Sequence, residues 1–598
     1  MNCNKCGEPL TEGSKFCAVC GTPVQSSPHT SASAATDSNQ SADPVITASA
    51  APVVSASSAP VKAPKSTNKK PLLIAVIAVA VLAVLAAGAY IAFNYFSNSN
   101  SGSSSDKPSY LLVIKGEDEV QIYAGDKKPV TIDGRADRSV YTNDGRKVAV
   151  SIDVDENGLG ELWYSDGKKA EDIAGSVYNF AFSASGTRIA YLTDYDYESG
   201  VGDLYVYDIQ TKKSEQIAQE ASTDFTLSPD GKSIGYTSDI SIDDNGYVDS
   251  YKGYLCINGG KAEEIGDNLY VFAISNDAKY VYYVETDPAS PDTGDLYIRH
   301  GKSDDKIGSV NLYSAFYLNN DCSELVFVKS GSTYLCADGK DKEKISDMAL
   351  SAVVAVDGTQ YSSNNSSSVY AVTLNINSFS EQLLAVTDDS GSGTTLTYLK
   401  KDLTTEDIDD LNDYYYMYNM NLESNGKTLY YLNDSGQILK YKDYRDHETD
   451  PEKIKSDEDI IYYIVMPDQS AIYYIDAQQT LWVQRGTSDP EEIASDVQTY
   501  SLNVSKDEKG IYYICDFKAA DDNDEYAGGG TLNYIKNTAK AKSSEIADNV
   551  YSIEVHDYGT VYYVYDATDE STGSYVGEAF FSLNDKDFTS VMDNAFFG

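Results

Sequence analysis

Histidine is nearly missing from this chain: there are four in 598 residues, and His29 lies in a Ser/Ala/Pro-rich stretch. Most acid–base and nucleophilic sites need an imidazole, and no GxSxG elbow is present either, so catalysis has little support. Basic residues are also scarce, with 46 Lys+Arg against 92 Asp+Glu and a net charge of −46. A surface of that sign repels nucleic acid and anionic lipid, and attracts metal ions, polycations or basic partners. Tryptophan occurs twice while tyrosine occurs 50 times, which favours aromatic-rich β-structure. Of eight cysteines, Cys256, Cys322, Cys336 and Cys515 are scattered without paired spacing, so they form no second metal motif. Long apolar runs are absent with a single exception.

That exception is Leu72–Phe93 (LLIAVIAVAVLAVLAAGAYIAF), which carries no charge. As a helix rising about 1.5 Å per residue it crosses a hydrocarbon core of about 30 Å. A long polar segment precedes it, so it reads as a signal anchor and not a cleaved leader. Lys62, Lys65, Lys69 and Lys70 stand just before it and an uncharged Ser97–Ser105 follows. The positive-inside rule then leaves the N-terminus in the cytoplasm and the large C-terminal part outside, at the cell surface. The acid excess belongs to that outer part, because only Glu8, Glu12, Asp37 and Asp43 precede Ser105.

At the N-terminus, Cys3-Asn4-Lys5-Cys6-Gly7 is echoed by Cys17-Ala18-Val19-Cys20-Gly21. Each CxxC offers two thiolates at one corner, and the following Gly permits the turn back. Residues 1–24 resemble the short zinc-ribbon domains at the N-terminus of many bacterial membrane proteins. The resemblance implies a structural Zn²⁺ on Cys3, Cys6, Cys17 and Cys20, supplying most of the folding free energy of a segment with almost no core. Four thiolates leave no open position for substrate, so the expected role is docking a cytoplasmic protein. Residues 25–71 read as a disordered Ser/Ala/Pro-rich tether, 72–93 as the transmembrane helix and 94–108 as a flexible stalk.

From about Tyr110 one pattern recurs, clearest at Leu227–Asp239 (LSPDGKSIGYTSD): a strand end, an Asp-Gly turn, and a second strand ending at Asp. Phe182–Asp194, Thr142–Asp153, Ile274–Asp287, Leu422–Asp434, Met466–Asp476, Val504–Asp516 and His556–Asp566 are variants. A third strand such as Leu204–Asp208 (LYVYD) follows, then a polar turn and a short fourth strand. Four antiparallel strands repeating at roughly 40 to 47 residues mark β-propeller blades. The motif resembles TolB-like and WD40-like propellers, and strands such as IYYID resemble the six-bladed propellers of low-density-lipoprotein-receptor type. The expected fold is all-β. Tyr110–Asp133 supplies strands two to four of a blade without the first, so a strand from elsewhere completes it, either Ala349–Val356 or Asn594–Phe597. About eleven units exceed the usual four to eight blades, so two propellers are expected, at 109–357 and 369–598.

Strand alternation puts the connections between second and third strands on one face, with those leading into the next blade. Asp194, Asp196, Glu198 and Asp203, then Asp243, Asp244 and Asp249, then Asp516, Asp521, Asp522, Asp524 and Glu525 make that face acidic. Within it, Asp153, Asp155, Asn157 and Glu161 resemble the calcium loops of integrin-type propellers, with Gly158 allowing the turn. Glu stands where Asp is usual. Ser241, Asp243, Asn245 and Asp249 repeat the pattern less completely. Tyr178, Tyr270, Tyr313, Tyr500 and Tyr551 begin blades near this face; they either stack on a sugar or cationic ligand or pack between blades. The chain as a whole reads as a single-pass surface protein. It captures a protein, glycan or cation outside and docks a partner inside. An envelope hydrolase or lyase using propeller carboxylates and a structural spacer are the alternatives.

Overall fold

The computed structural model describes residues 110–597, apart from 126–127, 243–247, 288–289, 340–341, 355–359, 363–368, 375, 388–392, 412–419, 424–425, 447–449, 455–458, 522–523 and 569–573. Every regular element among the described residues is a β-strand. The strands form eight hydrogen-bonded sheets of four to ten strands, which divide into eleven four-stranded antiparallel blades spanning 112–133 (completed by the end of the chain), 136–174, 177–221, 225–267, 269–311, 316–346, 349–411, 420–453, 460–494, 503–548 and 550–592. Three long strands each serve two blades. Ala170–Phe182, for example, pairs with Gly160–Ser165 through its first half and with Arg188–Asp196 through its second.

The fourth strand of most blades is the most exposed, which places it at the outer edge and the first at the inner edge. Phe225–Leu227 is buried throughout, whereas Glu263–Asp267 in the same blade is exposed or half-buried. Consecutive blades share a packed apolar cluster, such as Phe272, Tyr282, Phe316 and Phe327 between the fifth and sixth. The last blade packs on the first through Leu112, Tyr123, Val561, Phe581 and Phe597. Strand pairing closes the same junction: Lys115 pairs with Phe596 and Gly116 with Ala595.

Of the two expected closures, the strand that completes the first blade is therefore the C-terminal one. Ala349–Val354 pairs instead with Leu383–Thr387 and starts the seventh blade. Between those two strands a hairpin is inserted, whose strand Ala371–Leu374 lies parallel to Phe316–Leu318 at the inner edge of the sixth blade. The two ends of the strand series thus meet, Lys115–Gly116 pairing with Ala595–Phe596. The inserted hairpin uses the buried Ala371–Leu374 to extend the sheet of the sixth blade.

The repeated motif has a local explanation. In the turn after Leu227, Ser228 Oγ donates to Asp230 Oδ1 at 2.8 Å, and the backbone N–H of Ser233 donates back to Ser228 Oγ at 3.0 Å. Gly231 takes φ 72° there, a region cheap only for glycine. Neighbouring turns are stitched together as well: Asp230 N–H donates to Asn276 Oδ1 at 2.7 Å, and Ser185 N–H to the Pro229 carbonyl at 2.8 Å. The tyrosine abundance follows from cross-strand pairs between second and third strands. Tyr191 and Tyr205, Tyr236 and Tyr254, and Tyr283 and Tyr297 are register partners with ring centroids 5.5, 5.3 and 5.2 Å apart.

Candidate functional site

The Asp that ends the second strand of a blade is a backbone device. Asp153, Asp194, Asp239 and Asp516 all have φ between 51° and 55°; the last three sit at register shifts where the hairpin bulges, and Asp153 follows the last register pair of its hairpin, Ile152 with Glu161. Asp tolerates this left-handed conformation better than most residues. Its carboxylate is then used locally: Asp153 Oδ1 accepts the Arg135 N–H at 2.8 Å, and Asp239 Oδ2 accepts the Tyr254 hydroxyl at 2.6 Å.

The first loop that resembles a calcium site is organised by hydrogen bonds of its own. Asp155 Oδ1 accepts the N–H groups of Asn157 at 2.8 Å and Leu159 at 3.0 Å. These bonds, the Leu159 one foremost, hold its carboxyl below the usual range. Glu161 lies on the next strand opposite Ile152, and its Oε2 accepts the Trp163 indole N–H at 3.2 Å. Asp153, Asp155, Asn157 and Glu161 are therefore not gathered around one point. Among the described residues no three His, Cys, Asp or Glu side chains stand close enough to hold a metal ion. In the second loop, Asp243 and Asn245 lie outside the described residues; Ser241 and Asp249 are on facing strands.

The five tyrosines divide. Tyr178 stacks on Tyr195 at 4.2 Å and meets Tyr197 edge-on at 5.4 Å. Tyr270 packs on Tyr251 at 4.6 Å, and Tyr551 on Tyr575 and Phe597 at 4.8 and 5.2 Å. These three belong to the packing between blades. Tyr313 and Tyr500 are instead 80% and 53% exposed, on connections between blades, although the Tyr500 ring also meets Tyr462 edge-on at 5.5 Å. Tyr313 donates its hydroxyl to Asp292 Oδ1 at 2.8 Å, and that carboxylate raises the phenol's pKa.

The exposed apolar residues concentrate on the same side. Tyr197, Ile242, Val248, Tyr313, Tyr370 and Tyr500 all sit at ends of strands where the acidic connections emerge, and only Ile257 and Leu583 of the described exposed large hydrophobics lie at the opposite ends. Sequence reading overlooked Tyr197, Ile242, Val248 and Tyr370. The visible signal was an apolar residue at a hairpin tip, as in Ile242 facing Val248.

Cys256, Cys322, Cys336 and Cys515 are free and buried. Burial pushes the Cys322 thiol up to about 12 and the Cys515 thiol to about 11, which keeps both unreactive. His556 bonds Glu554 at 3.1 Å and His300 meets the Tyr280 ring at 6.0 Å. Neither is placed against a nucleophile. Cys3, Cys6, Cys17, Cys20 and the apolar run Leu72–Phe93 lie outside the described residues. Among the described residues no helix is long and apolar enough to cross a membrane.

Comparison with known proteins bears on the two ends of the chain differently. Residues 2–24 match the zinc-ribbon domain family, and all four N-terminal cysteines fall within the match. No curated protein matches the chain. Among solved structures, the tricorn protease is similar over 81% of this chain and 58% of its own, at 12% identity and a TM-score of 0.28. TolB from Acinetobacter baumannii is similar over 42% of this chain and 66% of its own, at 16% identity and a TM-score of 0.24. A eukaryotic initiation factor structure covers 65% and 97%, at 10% identity and 0.35. The chain spans less than two thirds of the tricorn protease and of TolB. No activity, substrate or partner carries over at these values.

Proposed function

We propose that this chain is a single-pass membrane-anchored binding protein. Its blades lie outside the cytoplasm and capture a partner on the tyrosine-bearing acidic face, and its zinc ribbon, closed by Cys3, Cys6, Cys17 and Cys20 around a structural Zn²⁺, docks a protein inside. The observation that carries the binding role is the concentration of Tyr197, Ile242, Val248, Tyr313, Tyr370 and Tyr500 at one set of strand ends. Exposed rings among carboxylates suit a partner that presents cationic groups along an apolar stem. The anchoring rests on the uncharged run Leu72–Phe93 between a cysteine ribbon and an acidic exterior. The reading is of a binder, and no catalytic step is assigned.

Protease treatment of intact cells tests the layout. Tags at the two ends of the full chain should behave oppositely, the C-terminal one digested and the N-terminal one protected until the membrane is opened. Protection of both, or digestion of both, sinks the anchoring. For the face itself, a Tyr313→Ala, Tyr500→Ala double variant should bind a fluorescent Lys-rich peptide about tenfold more weakly than the parent chain at low salt. Equal affinities would remove those rings from the site.

A further inference from the structure

Charge is not spread evenly over the two ends of the strands. In the first three blades the hairpins between second and third strands, 117–118, 153–159 and 197–200, contain six acidic residues and no basic one. The turns at the opposite ends, 124–129, 142–147, 166–169, 183–187 and 209–212, contain seven basic and three acidic residues. Lys127-Lys128 stands in the turn before the fourth strand of the first blade and Lys168-Lys169 in that of the second; in the third, Lys212 ends the turn and Lys213 opens the strand. Summed over the whole chain the charge repels anionic lipid, but at these turns its sign is reversed.

The turns form one surface. A Cβ added at Gly167 would lie 2.6 Å from Ala124 Cβ, and one at Gly186 2.5 Å from Thr142 Cγ2, so turns of neighbouring blades are in contact. Lys147 Nζ donates to the Gly186 carbonyl at 2.5 Å, and Asn143 Nδ2 to the Ala184 carbonyl at 3.1 Å. Glu171 accepts from both Lys169 and Lys212, which ties the second blade's lysines to the third's. Arg188 pairs with Asp208 at 3.3 Å and Lys168 with Asp166 at 3.6 Å, while Asp144 accepts the Thr142 hydroxyl at 2.6 Å. Lys128, Arg146, Lys147 and Lys213 make no ion pair among the described residues, so the patch keeps positive charge to offer.

The chain enters its blades at this same end. Leu111 N–H donates to the Gly145 carbonyl at 2.8 Å and the Tyr110 hydroxyl to the Asn143 carbonyl at 3.0 Å, both in the turn that bears Arg146 and Lys147. Gly145, at φ 64°, permits the approach, since a Cβ there would lie 2.6 Å from Tyr110 Cα. Residues 94–109, sixteen in number, separate the apolar run from Tyr110, and a segment of that length spans at most roughly 55 Å. Of the described exposed large hydrophobics only Ile257 and Leu583 lie at this end of the strands. A surface so poor in apolar groups and rich in ammonium and guanidinium suits phosphate headgroups and not acyl chains.

We propose that the basic turns of the first three blades dock on the anionic phospholipid headgroups of the membrane that Leu72–Phe93 spans, which turns the tyrosine-bearing acidic face away from the bilayer. The inference rests on the membrane-anchored reading. Hydrogen exchange of the full-length protein, reconstituted in nanodiscs of phosphatidylglycerol and separately of phosphatidylcholine, tests it. At low salt the amides of 142–147, 166–169 and 209–213 should exchange about threefold or more slowly in phosphatidylglycerol than in phosphatidylcholine, and those of 153–159 and 197–200 equally in both. Sodium chloride at about 1 M, which shortens the Debye length to about 3 Å, should abolish the difference. Charge reversal at three exposed positions, Arg146→Glu with Lys168→Glu and Lys213→Glu, should abolish it too, with a melting curve as the check on folding. A chain that stays in the discs but exchanges equally in both lipids overturns this proposal and leaves the anchoring intact. So does a difference that survives the salt, or one that persists in the folded triple variant. A chain not recovered with the discs overturns the anchoring, and this proposal with it.

Discussion

Glu171 shows how single side chains are tuned in this acidic chain. It accepts hydrogen bonds from Lys169 and from Lys212, the latter at 2.5 Å, and from the Tyr207 hydroxyl at 3.2 Å. The two ammonium groups hold its carboxyl at about 2, below the ordinary 4.5. A depressed carboxylate stabilises the fold above its unfolded pKa and loses that contribution as pH falls towards its folded one. The loss should therefore run from about pH 4.5 down to about pH 2. Both lysines are more than half exposed, so screening keeps the contribution to roughly 0.5 kcal/mol. Glu171→Gln should lower the urea midpoint slightly at pH 7 and leave it equal to that of the parent chain near pH 2. A gap of the same size at both pH values would show that the carboxylate charge is not what matters. At this scale the sequence names the residue types more readily than their hydrogen-bond partners. Asp153 and Asp155 have calcium-ligand spacing, yet one takes a left-handed backbone and accepts the Arg135 N–H and the other caps its own turn. Spacing in one dimension does not say where a carboxylate's lone pairs are spent.

Strands were the most legible elements. LSPDGKSIGYTSD shows its turn through Asp230-Gly231 and its second strand through alternating apolar residues, and both are present, with Ile234–Ile242 as the strand. Partner choice was not legible. Ala349–Val354 and the end of the chain are both short apolar segments, and which of them meets Lys115 depends on everything between them. Closure makes Phe597 an important residue: it is 8% exposed and lies 5.2 Å from the Tyr551 ring and 5.0 Å from Tyr563. Phe597→Ala should cost roughly 3 kcal/mol in urea denaturation, the range for a buried aromatic. A cost of about 1 kcal/mol or less would mean that this junction contributes little to stability.

For the whole molecule the dominant quantity is the net charge of −46. Like charges on a folded surface repel, and salt screens them over a Debye length of about 10 Å at 0.1 M. The melting temperature of the full chain should rise as sodium chloride is increased from low concentration, by calorimetry at pH 7. A fall over that range would mean that ion pairs such as Arg299 with Glu263 and Asp304 outweigh the repulsion.

Some properties belong to the chain before it folds. Charge balance, the uncharged run Leu72–Phe93, the paired CxxC knuckles and the blade motif are local or summed quantities, so they are visible in one dimension. What only the tertiary structure decided is which distant residues meet. It joined Lys115 to Phe596, turned Tyr178, Tyr270 and Tyr551 inward while leaving Tyr313 and Tyr500 exposed, and set Arg138 beside Asn179. Each of those outcomes depends on the packing of several blades at once, because a strand's own pattern records which side is apolar and not what that side will face.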